Sequence, residues 1–172
     1  MQTMPGQTNK IRKERPIDTL DRIDFEIVAA LAKNARLSNK ELAAHVGLAQ
    51  SSCLARVRRL VESGVLRGFH ADVDPDAVGI GVQAMISLQT GRHTRANYHS
   101  LRDFLLALPE VVAFYHLAGR TDFLIHVATR DIKHLHEVVV QRVATRKEIQ
   151  HVETSIIFEY ARSELVLDCD HS

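Results

Sequence analysis

Four short segments of this chain read as strands, two of them with apolar and polar residues alternating, and two segments of helical period fall between them in a fixed order. "VQAMISLQ" (82–89) puts Val82, Ala84, Ile86 and Leu88 on one side. "VVAFYHLA" (111–118), "FLIHVAT" (123–129) and "VETSIIFEY" (152–160) also read as strands. Residues 97–108 read as a helix ending before Pro109, and 131–145 as another, with Ile132, Leu135, Val138, Val139 and Val143 inward. The order β-α-β-β-α-β is the ferredoxin-like arrangement. Both faces of the middle strands are largely apolar, yet two helices cover only one face of a four-stranded sheet. The other face needs a partner, most simply a second copy of the chain.

Between residues 18 and 64 the chain keeps a helical period. Leu20, Ile23, Ile27, Val28 and Leu31 form one stripe over 18–34. Asp18 is expected to cap this helix, with Asp21 and Asp24 at the positive end of its dipole. Ser38-Asn39-Lys40-Glu41 spells a capping box for a second helix, which buries Leu42, Ala43 and Val46 and stops at Gly47. A third helix follows at once in "AQSSCLARVRRLVESG" (49–64). Leu54, Val57 and Val61 form its expected inward stripe, flanked by Cys53 and Leu60. That phase sends Ser52, Ala55 and Arg59 outward, with Ser51 and Arg58 on one shoulder and Arg56 on the other. Two helices joined by a short Gly-containing turn, behind a third, make a helix-turn-helix. "VLRGFHADVD" is then strand-like before Pro75, and is read as a wing and hinge.

Charge supports that reading. Net charge is +1 over 172 residues, but residues 1–68 hold 12 Lys and Arg against 7 Asp and Glu, while 69–172 hold 10 against 14. The first part is thus +5 and the second −4, an asymmetry that points to a polyanionic partner for the first. The three arginines of the third helix would gain by releasing DNA counterions. Gln50, Ser51 and Ser52, at its start, are small enough to approach base edges. The expected DNA-binding set is Ser38, Gln50, Ser51, Ser52, Arg56, Arg58 and Arg59, with the arginines on phosphates. Lys10, Arg12, Lys13 and Arg15 make residues 1–17 a basic arm, expected to be disordered.

Other signals exclude function classes. Two cysteines, Cys53 and Cys169, form no C-x-x-C pair and suit a reducing compartment. No signal peptide and no apolar run long enough to span a bilayer are present, so a cytoplasmic location and no membrane partner are expected. "GIGVQA" (79–84) has the letters of a dinucleotide fingerprint, but it follows Asp74-Pro75-Asp76 and leads into a strand, not a helix. The ten histidines show no zinc spacing, although His116 and His126 are candidates for neighbours on one face of a hairpin. No nucleophile elbow, P-loop or paired-acid signature occurs. Neither metal nor cofactor is expected. Gly119-Arg120-Thr121-Asp122 is either a plain hairpin turn or a ligand loop, whose amides could receive a carboxylate and whose Asp122 could hold an ammonium.

"LDRIDFEIVAALAKNARLSNKELAAHVGLAQSSCLARVRRLVESGVLRGF", followed by "HLAGRTDFLIHV" and "VETSIIFEY", resembles the Lrp/AsnC (feast/famine) transcription regulators over about residues 18–160. The resemblance implies a winged helix-turn-helix joined to a ferredoxin-like ligand-sensing domain, an α+β chain. It implies dimers that assemble further, often to octamers, and amino-acid effectors bound between subunits. The family's G-D-x-D loop maps onto Gly119, Arg120, Thr121 and Asp122, and its later T-x-T segment onto Val152 and Thr154. Arg120 stands where the family commonly has an acid, Val152 where it has a hydroxyl residue, and Glu148 where it often has the Gly of a Pro-Gly-Val turn.

The expected layout is a basic arm (1–17), a helix-turn-helix domain (18–66), a wing and hinge (67–81), an effector-binding and oligomerisation domain (82–162) and a tail (163–172). The expected function is sequence-specific binding of double-stranded DNA. A small effector, expected to be an amino acid, would regulate it through assembly state or DNA affinity. The protein is expected not to be an enzyme. Two other readings stand beside it: an enzyme similar to the siroheme decarboxylases, built on the same scaffold, and an architectural DNA-compacting protein.

Overall fold

A computed structural model describes residues 20–91 and 95–161 of the chain. These fall into two units that divide between Asp72 and Val73, each with its own apolar core. The arm, Asp18 and the tail with Cys169 lie outside the described residues.

The first unit contains α1 (Arg22–Lys33), α2 (Asn39–His45) and α3 (Gln50–Glu62). Asp21, not Asp18, caps α1. Its side chain accepts the amide of Asp24 at 2.9 Å, while the Asp24 carboxylate accepts the amide of Asp21 at 3.2 Å. This reciprocal pair satisfies two of the amides that a helix start leaves open. Ser38 and Glu41 form the expected box on α2, and the hydroxyl also donates to the Glu41 carboxylate at 2.7 Å. These bonds hold Glu41 below its ordinary pKa. Gly47, at φ 67°, makes the left-handed turn between α2 and α3. Ile27, Leu31, Leu42, Ala43, Val46, Cys53 and Leu60 form the core. The strand expected within Val65–Asp74 is not formed. No second strand of this unit is present among the described residues, and a lone strand has no ladder to join.

The second unit contains β1 (Val82–Thr90), α4 (Arg95–Leu106), β2 (Val111–His116), β3 (Phe123–Thr129), α5 (Ile132–Glu137), which runs on as a π-helical segment (Val138–Val143), and β4 (Ile149–Ile157). The sheet order is β2-β3-β1-β4, antiparallel throughout, as the ferredoxin-like reading requires. Ala84, Ile86 and Leu88 of β1 face the same side as Phe123, Ile125 and Val127 of β3, and Leu101, Leu105, Leu135, Val138 and Val143 cover them. Ile132, expected inward, is 54% exposed. "GIGVQA" does lead into a strand, since Val82 opens β1.

Candidate nucleic-acid interface and effector loop

The rotational phase of α3 differs from the expected one. Cys53 and Leu60 are fully buried, whereas Leu54 is 39% and Val61 44% exposed. At 100° per residue the inward direction is turned by about 70° from the Leu54–Val57–Val61 stripe. This side of α3 meets two acids of α1. Asp24 is fully buried and accepts Arg56 at 2.9 Å through one carboxylate oxygen and Arg59 through the other. Arg56 also reaches Asp21 at 2.6 Å. The Arg56 bond, together with the Asp24 amide, holds the Asp21 carboxyl below its usual range, and Asp21 and Asp24 in turn raise the Arg56 pKa.

The three arginines therefore divide. Arg56 and Arg59 neutralise acids of α1, and Arg58 lies on the exposed side. Gln50, Ser51, Ser52 and Ala55 are exposed with it. Ser38 is held by its cap on Glu41. Asn39, which the sequence did not single out, donates to the carbonyl of Gln50 at 2.9 Å and ties the start of α2 to the start of α3. The i,i+3 acids at 21 and 24 and the i,i+3 arginines at 56 and 59 were the available signal for the cluster.

In the second unit, the expected loop residues gather at the Thr90 end of the sheet. The carboxylate of Asp122 accepts the amide of Thr90 at 2.6 Å and its hydroxyl at 3.0 Å. The amide of Asp122 donates to the carbonyl of Leu88 at 3.0 Å, and its carbonyl accepts the amide of Leu117 at 2.9 Å. Gly119 sits at φ 145°, where a Cβ is strained, and Arg120 is exposed. Leu88 pairs with Phe123 on one side and Val152 on the other, and Ile86 pairs with Thr154. Val152 packs against the core, while Thr154 is exposed. The loop and Val152 thus flank one strand position, with β1 between them.

His116 and His126 are not neighbours. The β2–β3 register pairs His116 with Phe123 and His126 with Ala113, so the two rings lie on opposite faces. His116 packs on Tyr98 and Phe123, with ring centroids 4.8 and 5.0 Å away. His126 lies on the other face, 2.9 Å from the amide oxygen of Gln83, and burial lowers its pKa. Gln83, Met85 and Ser87 of β1 share that face with Leu124, His126 and Ala128 of β3, and no described element of this unit covers it. No group of three or more metal-ligating side chains occurs among the described residues, and no described helix is long and apolar enough to cross a membrane.

Comparison with known proteins assigns both units. Residues 20–67 match a winged helix-turn-helix DNA-binding family, and residues 83–165 match the Lrp/AsnC ligand binding domain. The chain is 42% identical to the HTH-type transcriptional regulator AldR of Mycolicibacterium smegmatis over 158 residues, 92% of this chain and 90% of that protein. It is 31% identical to the DNA-binding transcriptional activator DecR of Escherichia coli, over 81% of this chain and 92% of that one. Among solved structures, MtbAldR superposes with a TM-score of 0.75 at 40% identity, covering 86% of this chain and 97% of that chain. A Neisseria meningitidis transcriptional regulator in complex with L-Met superposes with a TM-score of 0.80 at 28% identity, covering 89% and 99%. An α+β chain with a helix-turn-helix unit and a ligand-binding unit of these two families belongs to the Lrp/AsnC family of DNA-binding transcription regulators.

Proposed function

We propose that this regulator is sequence-specific, acts in the cytoplasm on double-stranded DNA, and answers to an amino acid through a dimer-based assembly of octamer size. The observation that carries the DNA half is the exposed face of α3. Gln50, Ser51 and Ser52 stand at its N-terminal end, where a recognition helix meets base edges, and Arg58 stands further along. Arg58→Ala should weaken binding to all duplexes and lower the slope of log affinity against log salt by about 0.9 for each phosphate that Arg58 neutralises. Ser51→Ala should instead change sequence preference. Equal salt slopes for wild type and Arg58→Ala, measured by titration from low to high salt, would remove Arg58 from the interface.

The open sheet face supports the dimer. It presents Met85, Leu124 and Ala128 beside His126, and a second copy stacked on it would complete the layer. The effector reading rests on Gly119, Arg120, Thr121 and Asp122, with Val152 and Thr154 on the far side of β1. Asp122 already holds Thr90, so effector binding there would be felt at the end of β1. Arg120 is an exposed cation suited to an effector carboxylate. Arg120→Ala should weaken the preferred amino acid about tenfold, as loss of a charge-assisted hydrogen bond does; calorimetry with unchanged affinities for every amino acid would sink that role. Light scattering with and without single amino acids tests the whole reading. A mass that shifts with one of them supports it, and a mass fixed as a dimer under all of them overturns the octamer.

A further inference from the structure

Helix α3 carries two competing inward faces. One is purely apolar, centred between Leu54, Val57 and Val61. The other is centred on Cys53 and Leu60 and brings Arg56 and Arg59 against α1. The second is the one formed, at the cost of leaving Leu54 and Val61 substantially exposed. Val57 packs against the core in the formed phase and belongs to both faces, so the choice trades Cys53 and Leu60 for Leu54 and Val61, a small difference in apolar burial. What decides between them is the buried carboxylate of Asp24, whose two oxygens take Arg56, Arg59 and the amide of Asp21. A fully buried carboxylate stripped of these donors is strongly unfavourable, so the helix is held where both arginines can reach it.

We propose that Asp24 is a positioning residue: its carboxylate sets the rotational phase of α3 and so decides which side chains of that helix face DNA. In the phase it imposes, Ser51, Ala55, Arg58 and Glu62 point away from the core, because they lie within about 40° of the direction opposite Cys53. In the other phase, Ser52, Ala55 and Arg59 would do so. Arg56 and Arg59 are then ties to α1 and not phosphate contacts. The inference rests on the DNA-binding reading for its consequence, but its core, the phase of α3, is measurable without DNA.

Cys53 reports that phase. It is fully buried now. A turn of about 70° would carry it to the angular position that Arg56 occupies, at the edge of the helix–helix contact. The experiment uses the full chain with Cys169→Ser, so that Cys53 is the remaining thiol. Native-state labelling with a small thiol reagent is followed in the parent and in Asp24→Asn, alongside helical circular dichroism and selection of duplexes from a randomised pool. The expected result is a folded Asp24→Asn chain whose Cys53 reacts about tenfold faster or more, at a rate insensitive to low denaturant, as a native-state opening requires. Its selected duplexes should differ from those of the parent in base preference. Adding Leu54→Ser and Val61→Ser should restore Cys53 protection, since it removes the apolar gain of the other phase. A folded Asp24→Asn chain with Cys53 as protected as in the parent overturns the proposal, whether or not any duplex is bound. Loss of DNA selection in the parent itself would instead strike the DNA reading and leave the thiol result standing. Should Asp24→Asn fail to fold, the triple variant Asp24→Asn, Arg56→Gln, Arg59→Gln carries the test, because it leaves no unpaired charge in the buried cluster. Faster labelling of Cys53 in that variant supports the proposal, and Cys53 as protected as in the parent overturns it.

Discussion

Replacing Leu60 with alanine is expected to unfold the DNA-binding unit and leave the sheet unit folded. Leu60 is fully buried in a core whose other buried members among the described residues are Ile27, Leu31, Leu42, Ala43, Val46 and Cys53. A buried Leu→Ala change costs about 3–5 kcal/mol, from lost transfer energy and the cavity left behind. A unit of this size has a total stability of only a few kcal/mol, on the order of 0.1 kcal/mol per residue. The substitution is therefore comparable to the whole. The sheet unit has its own core, built from Ile86, Leu88, Ile125, Val127 and the residues packed on them, and shares no buried residue with the first. Hydrogen exchange should show α1–α3 stripped of protection while β1–β4 keep theirs. DNA affinity should fall about 100-fold or more, for specific and non-specific duplexes alike, because base and phosphate contacts both need α3 folded. Effector binding should persist. A cooperative loss of protection in both units together would show that they fold as one.

The elements that local chemistry determines were legible in the sequence. The Ser38–Glu41 box, the Gly47 turn and the alternation of Val82–Leu88 each depend on residues within a few positions of one another, and each appears as read. The phase of α3 was not legible, because its apolar stripe and its charges point in different directions. The decision is made by Asp24, 32 residues from Arg56 and 35 from Arg59. The same limit applies to the histidine pair. The register of the β2–β3 ladder, with His116 opposite Phe123, decides which residues share a face, and alternation alone does not reveal a register. The candidate loop was found by its turn residues, but the bond from Thr90 to Asp122 joins two strands and needed the sheet order to be seen.

Glu110 is a third long-range group that no local pattern announced, and its removal should clearly destabilise the sheet unit. It sits in the turn between α4 and β2 and is 7% exposed. Its carboxylate accepts Nη1 of Arg142 at 2.9 and 3.0 Å through its two oxygens, and lies 3.0 Å from Nε2 of His134. Its carbonyl accepts the amide of Ala128 at 2.8 Å. One residue thus fastens the first turn of α5 and the π-helical segment to the start of the sheet. Burial alone would raise its pKa, but its backbone bond, His134 and Arg142 outweigh that and hold it below the usual carboxylate value. Glu110→Ala should cost about 2–3 kcal/mol, less than a fully enclosed pair because Arg142 is half exposed and can rehydrate. That corresponds to a fall of roughly 10–20 °C in the melting temperature of a unit this size. The pH dependence has a definite sign. With the folded pKa lowered, the unfolded chain binds more protons between the folded value and the unperturbed one near pH 4.3. The contribution of Glu110 is full at neutral pH and is lost as the pH falls through that window to the folded value. Wild type and Glu110→Gln should therefore differ in melting temperature at pH 7 and converge in acid. Curves that stay parallel from pH 7 down to pH 3 would show that the carboxylate charge contributes nothing and that Glu110 acts through its backbone alone.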